Sequence, residues 1–134
     1  SIVFLTAIDI WNDNIFFGNG LKSFKIKCKT KLHIPNRVCT SHPHNYYLEL
    51  FNDTGVVGSL ILLIGVFLMI KNKIYNFRTF TYKEKLFVYS ILIILITEFF
   101  PLRSSGGFFT TSNSSFIFFL LGLLSGFKSN KKII

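Results

Sequence analysis

The 134-residue chain is unusually apolar: half of its residues are hydrophobic, 17% are aromatic, and the mean hydropathy is +0.49. Such a composition argues against an ordinary water-soluble domain. The net charge is +9, but the basic residues flank apolar runs and form no basic surface interleaved with aromatic residues, which argues against nucleic-acid binding.

Residues 1–55 are predicted to form an extracytoplasmic loop. The first residues lack the basic region and cleavage site of a signal peptide. Turn signals, typical of irregular structure, lie at Asn12-Asp13-Asn14, Gly18-Asn19-Gly20 and Pro35-Asn36. Near the end of the segment, we expect Ser41 to cap a helix that has Pro43 in its first turn. That helix would continue from Tyr46 into the membrane.

Three apolar runs follow, and each is predicted to be a transmembrane helix. They cover about residues 56–70, 86–100 and 112–127. The first two would be about 22 Å long, shorter than a hydrocarbon core of roughly 30 Å, so apolar flanks and snorkelling lysines must complete the spans. We expect Gly55 and Gly58 to allow close helix packing. The predicted fold class is therefore an all-α membrane protein, and buried helices of a large soluble protein are the alternative.

Loop charges predict the orientation of these helices. Basic residues between the first two runs are Lys71, Lys73, Arg78, Lys83 and Lys85, and three more lysines follow the third run. Because short basic loops stay in the cytoplasm, loop 71–85 and the C-terminal tail are predicted to be cytoplasmic. Residues 1–55 and loop 101–115 would then share the extracytoplasmic face. The basic stretch from Lys22 to Arg37 opposes this assignment, but longer loops translocate largely regardless of charge.

Two cysteines lie in the predicted extracytoplasmic segment. On that side of the membrane Cys28 and Cys39 are allowed to form a disulfide, which would restrain the loop leading to His42. Two free thiols are the alternative. A metal site with His33, His42 and His44 is a further alternative, although the spacings do not follow a zinc-finger pattern.

Three segments stand out by their residue types: NIFFGNG at 14–20, HPHNYYLEL followed by TGVVG at 42–58, and FPLRSSG at 100–106. In this order they resemble the NPxFGxG, HPHNxYLE…TGxxG and FPLRS.G segments of the O-antigen ligase and polymerase family. Ile15 departs from that pattern, which has Pro at this position. The resemblance extends over about residues 12–122.

The resemblance implies a larger polytopic, GT-C-like helical bundle, so we expect the chain to be the C-terminal part of a longer bacterial inner-membrane protein. The implied activity is transfer or polymerisation of a glycan from a polyprenyl-diphosphate donor, undecaprenyl diphosphate in bacteria, to a saccharide or lipid-linked acceptor. Its setting would be lipopolysaccharide or cell-surface polysaccharide assembly. Family members use no cofactor or metal. The resemblance does not distinguish a ligase from a polymerase. The alternative function is that of a non-enzymatic transporter or structural subunit.

The implied catalytic residues lie on the predicted extracytoplasmic face. His44 matches the family's histidine and is predicted to be a general base or to position the acceptor, with His42 as the second choice. The guanidinium of Arg103 is suited to a diphosphate, because it offers a bidentate fork and stays charged. The alternatives are a hydrogen bond to the helix N-terminus for the histidines and an interfacial anchor for Arg103.

Glu49 is a further predicted catalytic residue. It lies on one helical stripe with Asn45 and Asp53, at spacings of four, and could orient His44 or hold the acceptor. Structural capping is the alternative. The predicted substrate-binding residues are Asn45, Tyr47, Arg37, Ser104 and Ser105. Lysines between Lys22 and Arg37 would attract the diphosphate or anionic lipid headgroups, with a solvated basic loop as the alternative.

Overall fold

The computed structural model describes residues 2–101, 104 and 106–127, and every regular element in them is helical. The elements are α1 (Ile2–Asn12), α2 (Phe24–Lys27) with a 3-10 turn directly after it (Cys28–Lys31), α3 (Tyr46–Tyr75), a second 3-10 turn (Asn76–Thr79), α4 (Tyr82–Glu98) and α5 (Thr111–Gly126). The predicted all-α class is confirmed.

Among the described helices, α3 is long and apolar enough to cross a membrane, judged by length and composition. The helices α4 and α5 have 17 and 16 residues, fewer than the roughly 20 that a typical span needs. The structure therefore identifies one candidate span, and the three-span arrangement stays a prediction.

The segment predicted as an irregular loop contains two helices. Ala7 and Ile10 of α1 are fully buried, and they form a small core with Phe24 and Cys28 of the α2 region. Packing of these buried side chains against one another stabilises α1 and α2, which the turn signals in this segment had not predicted. Cys28 also forms a disulfide with Cys39, with their Cα atoms 5.1 Å apart, so the α2 region is tied to the chain that leads to His42.

The three long helices share a second core. Leu50 of α3 packs with one apolar stripe of each of the other two helices, namely Val88, Ile91 and Leu95 of α4 and Ile117, Leu120, Leu121 and Leu124 of α5. The start of α4 is fixed by a capping interaction, in which the Thr81 amide donates to Glu84 Oε2 at 2.7 Å. The core explains why α5 packs against both α3 and α4.

Helix α3 is broken at Gly55, whose backbone has φ 64° and ψ −171°. The chain at residues 15–20 lies in the break. Four backbone hydrogen bonds join the two segments: Asn19 N to Asn52 O (2.7 Å), Gly20 N to Asp53 O (3.0 Å), Val56 N to Ile15 O (2.9 Å) and Val57 N to Phe16 O (3.1 Å). The break is therefore satisfied by backbone groups of a distant segment.

Glycine is required on both sides of this junction. A Cβ atom at Gly18 would lie 2.5 Å from the Gly55 nitrogen, and one at Gly55 would overlap the Phe16 carbonyl group. The expectation that Gly55 allows close helix packing is corrected, because this glycine lets residues 15–20 enter the helix. Gly58 has its own Thr54 side chain as its nearest neighbour.

The first prediction concerns this junction. Gly55→Ala should destabilise the protein by at least about 1–2 kcal/mol, because a left-handed backbone disfavours Cβ and the added methyl would meet the Phe16 carbonyl. Gly65→Ala is the matched control, since nothing lies within 4 Å of its Cβ position and alanine favours a helix. Thermal unfolding in detergent, followed by circular dichroism, measures both. Equal unfolding temperatures for Gly55→Ala and the parent protein would contradict the break.

Candidate functional site

Asn45 is the residue that begins α3. Its Oδ1 accepts the amides of Tyr47 (3.0 Å) and Leu48 (3.2 Å), which is the arrangement of a helix N-cap. The prediction that Ser41 caps the helix is therefore wrong. The reason lies at His44, whose φ of 56° is left-handed and non-helical, so the helix cannot extend back to Ser41.

The two histidines of the HPHN segment lie side by side. Their ring centroids are 4.2 Å apart, and Ser41 Oγ lies 2.8 Å from His42 Nδ1. His44 is half-buried between the buried residues Pro43 and Asn45. A left-handed backbone at a non-glycine residue costs roughly 1–3 kcal/mol and persists where neighbours impose it. The turn therefore presents a partly accessible imidazole from a constrained backbone.

The start of α3 docks on the end of α4. Asn45 Nδ2 donates to the Pro101 carbonyl at 2.7 Å, and the Tyr47 hydroxyl donates to the Phe99 carbonyl at 2.7 Å. Tyr46 adds a contact from its hydroxyl to Glu98 Oε2 at 3.3 Å. These bonds bring the residue after His44 to the start of the α4–α5 loop.

That loop carries several predicted site residues. Ser104 is exposed. Arg103 and Ser105 lie outside the described residues. The structure brings His42, His44 and Asn45 together at the entry to the loop.

Glu49 binds the other end of the α4–α5 loop. Its Oε2 accepts the backbone amide of Phe108, and the Phe108 ring packs edge-to-face on Tyr46 with centroids 5.4 Å apart. Glu49 is 5% exposed. This bond favours a structural role for Glu49 over orientation of His44, although the role is to hold the loop before α5 and not to cap a helix.

Asp53 completes a buried polar stripe on α3, which we define as Asn45, Glu49 and Asp53. Asp53 accepts the Lys22 amide at 2.6 Å and the Ser23 hydroxyl at 3.1 Å, so it fixes the start of α2. The predicted shared stripe is confirmed, since all three side chains are buried. Each binds a different piece of chain.

Sequence reasoning missed the part played by Tyr46 and by the carbonyls of Phe99 and Pro101. The position of Tyr46 directly after the HPHN segment is the sequence feature that could have identified it as part of the site. Backbone carbonyl acceptors cannot be recognised from the residue type, because every residue has a backbone carbonyl group.

The basic segment is held against α1 by ion pairs. Arg37 Nε pairs with Asp9, and its Nη1 donates to the carbonyls of Pro35 (3.3 Å) and Asn36 (3.2 Å). Lys31 pairs with Asp13 at 2.7 Å. The predicted substrate contact of Arg37 would therefore compete with Asp9.

The alternative metal site loses two ligands to the disulfide between Cys28 and Cys39. Within the described residues, no three His, Cys, Asp or Glu side chains come together as a metal-ion site.

Comparison of the chain with protein-family models, with curated proteins and with solved structures finds no match. The family resemblance of the three segments therefore stays a prediction.

The second prediction tests whether Glu49 holds the α4–α5 loop in place by accepting the Phe108 amide. Glu49→Gln keeps an oxygen that can accept the Phe108 amide, whereas Glu49→Ala leaves a buried donor without its acceptor, at a cost of about 1–3 kcal/mol. Hydrogen–deuterium exchange of residues 106–110 should be near the parent rate in Glu49→Gln and much faster in Glu49→Ala. Glu84→Ala, at the start of α4, is the control and should leave that segment unchanged. Equally fast exchange in both Glu49 variants would contradict the assignment.

Proposed function

We propose that the chain carries the catalytic site of a bacterial inner-membrane glycosyltransferase of the O-antigen ligase and polymerase type. Its reaction is transfer or polymerisation of a glycan from polyprenyl diphosphate to a sugar hydroxyl. The single observation that carries the proposal is the 2.7 Å bond from Asn45 to the Pro101 carbonyl. It joins the turn with His44 to the loop in which Arg103 follows two residues later.

This juxtaposition suits the chemistry of glycosyl transfer. The acceptor oxygen attacks the anomeric carbon, the bond from that carbon to the diphosphate oxygen breaks, and the hydroxyl proton passes to His44. The leaving diphosphate gains negative charge, which the guanidinium of Arg103 pairs in bidentate fashion. Asn45, Tyr47, Ser104 and Ser105 are the residues that we propose to contact the acceptor.

In the proposed membrane arrangement α3, α4 and α5 all cross the inner membrane, and the catalytic face is periplasmic. Support comes from an exposed apolar stripe on α3 that recurs every three or four residues: Val57, Leu60, Ile61, Ile64, Phe67 and Leu68. A continuous apolar face of this kind is suited to lipid or to further membrane helices.

The third prediction tests this orientation. Ser41→Cys and Ser104→Cys, both at exposed positions, should react with a membrane-impermeant thiol reagent in cells whose outer membrane is permeabilised. Tyr75→Cys, at a position 84% exposed near the lower end of α3, should react only after the inner membrane is opened. Reaction of Tyr75→Cys in sealed cells would overturn the orientation.

The fourth prediction concerns activity. His44→Ala should lower transfer of polyprenyl-diphosphate-linked glycan by about 10²- to 10⁴-fold, the usual effect of losing one acid–base group, while membrane insertion is retained. Arg103→Lys should be nearly as damaging as Arg103→Ala, because a point charge does not replace a bidentate fork. The matched controls are His33→Ala and Arg78→Lys, both at exposed positions.

The assay is run in membranes with a chelator and no added metal. Full activity of Arg103→Lys would reduce this residue to an interfacial anchor. Loss of turnover on chelation would instead favour a metal site at the histidines.

A further inference from the structure

The segment in the α3 break and the α2 region that follows it expose large apolar side chains. Four of them are more than three-fifths exposed: Phe16 (65%), Phe17 (75%), Leu21 (66%) and Ile26 (72%). Burial of such side chains is favourable by about 1.5–3 kcal/mol each, so an uncovered group of this size indicates a surface that is covered in the native setting.

Exposed lysines alternate with these apolar residues. Lys25, Ile26 and Lys29 point outward at the α2 region, opposite the buried pair Phe24 and Cys28, and Lys22 is exposed just before them. An amphipathic segment with lysines beside large apolar side chains is typical of a membrane interface.

Lys25 and Lys29 form no ion pair with an acidic side chain in the described part of the first 45 residues, whereas Lys22 lies beside the buried Asp53, which accepts its backbone amide at 2.6 Å. The first 45 residues contain two acidic side chains, Asp9 and Asp13, and both pair with other basic residues, Arg37 and Lys31. Lysines close to an anionic leaflet are attracted by its negative surface potential. The charge therefore favours binding to the phosphate headgroups of an anionic lipid surface.

The depth of the segment also fits a bilayer surface. Phe16 accepts the Val57 amide through its carbonyl at 3.1 Å, and Val57 is the first residue of the exposed apolar stripe on α3. From Val57 to Ile70 the helix rises about 20 Å. The phenylalanines are thus attached where the apolar face of α3 begins, which in the proposed membrane placement of α3 is the level of the headgroup boundary.

We propose that these residues form an interfacial surface, defined as Phe16, Phe17, Leu21, Lys22, Lys25, Ile26 and Lys29, that inserts into the headgroup region of a bilayer containing anionic phospholipid. The inference rests on the membrane crossing of α3 in the proposed function. Its partner is the lipid surface itself and is independent of the glycan substrate.

The test uses the purified intact protein in vesicles, with an environment-sensitive NBD label on single introduced cysteines. Phe17→Cys reports the interfacial surface, His33→Cys is an exposed control outside it, and Ile64→Cys reports the α3 stripe. The vesicles contain lipids with a nitroxide either near the headgroup or at the chain end. We expect the Phe17 label to be blue-shifted and quenched by the shallow nitroxide, the Ile64 label to be quenched by the deep one, and the His33 label to be unaffected.

Two outcomes at Phe17 would overturn the inference. A label as water-exposed as that at His33 would show no insertion, and a blue-shifted label that neither nitroxide quenches would show that protein covers the surface. If Ile64 is quenched while Phe17 is not, the inference alone fails. If Ile64 is not quenched either, the membrane placement in the proposed function fails as well.

The charge is tested separately. Adding phosphatidylglycerol to phosphatidylcholine vesicles should increase quenching of the Phe17 label, and a triple variant with Lys22, Lys25 and Lys29 changed to Gln should lose that increase. The matched control changes the same number of exposed charges elsewhere, at Lys71, Arg78 and Lys83. Specific binding of anionic headgroups by this surface would be contradicted if phosphatidylglycerol still increased quenching in the variant with Lys22, Lys25 and Lys29 changed to Gln. It would also be contradicted if the control variant lost the increase to the same extent.

Discussion

The structure depends on the backbone pairing between residues 15–20 and 52–57. A helix that breaks within an apolar stretch exposes amide and carbonyl groups, and each costs several kcal/mol if no partner replaces water. Here the break at Gly55 is filled by four hydrogen bonds from one segment. Because that segment follows α1 directly and precedes α2, the same pairing fixes both helices against α3. Together with the core of Ala7, Ile10, Phe24 and Cys28 and the disulfide between Cys28 and Cys39, the pairing sets the packing of these first helices.

The buried polar stripe of Asn45, Glu49 and Asp53 extends this organisation to the candidate site. It binds the two ends of the α4–α5 loop and the start of α2. Functional residues are often carried by loops that a rigid scaffold positions. Here one helix face supplies that scaffold, because Asn45 and Glu49 hold the two ends of the loop.

Periodic features could be predicted from the sequence, and long-range ones could not. The three apolar runs coincide with α3, α4 and α5 apart from Phe99, Phe100 and Phe127 just beyond the helix ends. The spacing of four predicted the stripe. The break at Gly55 was missed because the apolar run after it continues without interruption and the partner lies more than 30 residues away. Ser41 was chosen as the cap because Ser and Asn are comparable N-caps, and the left-handed backbone of His44 decides between them. The disulfide was left open because its formation depends on the fold of the α2 region.

The broken helix has an electrostatic consequence for anion binding. The free amides at a helix N-terminus, with the positive end of its dipole, commonly bind phosphate. In the lower half of α3 the amides of Val56 and Val57 are instead occupied by the carbonyls of Ile15 and Phe16. Two amide donors at this pole are therefore already hydrogen-bonded within the chain, so fewer donors remain at this junction to bind an anionic group.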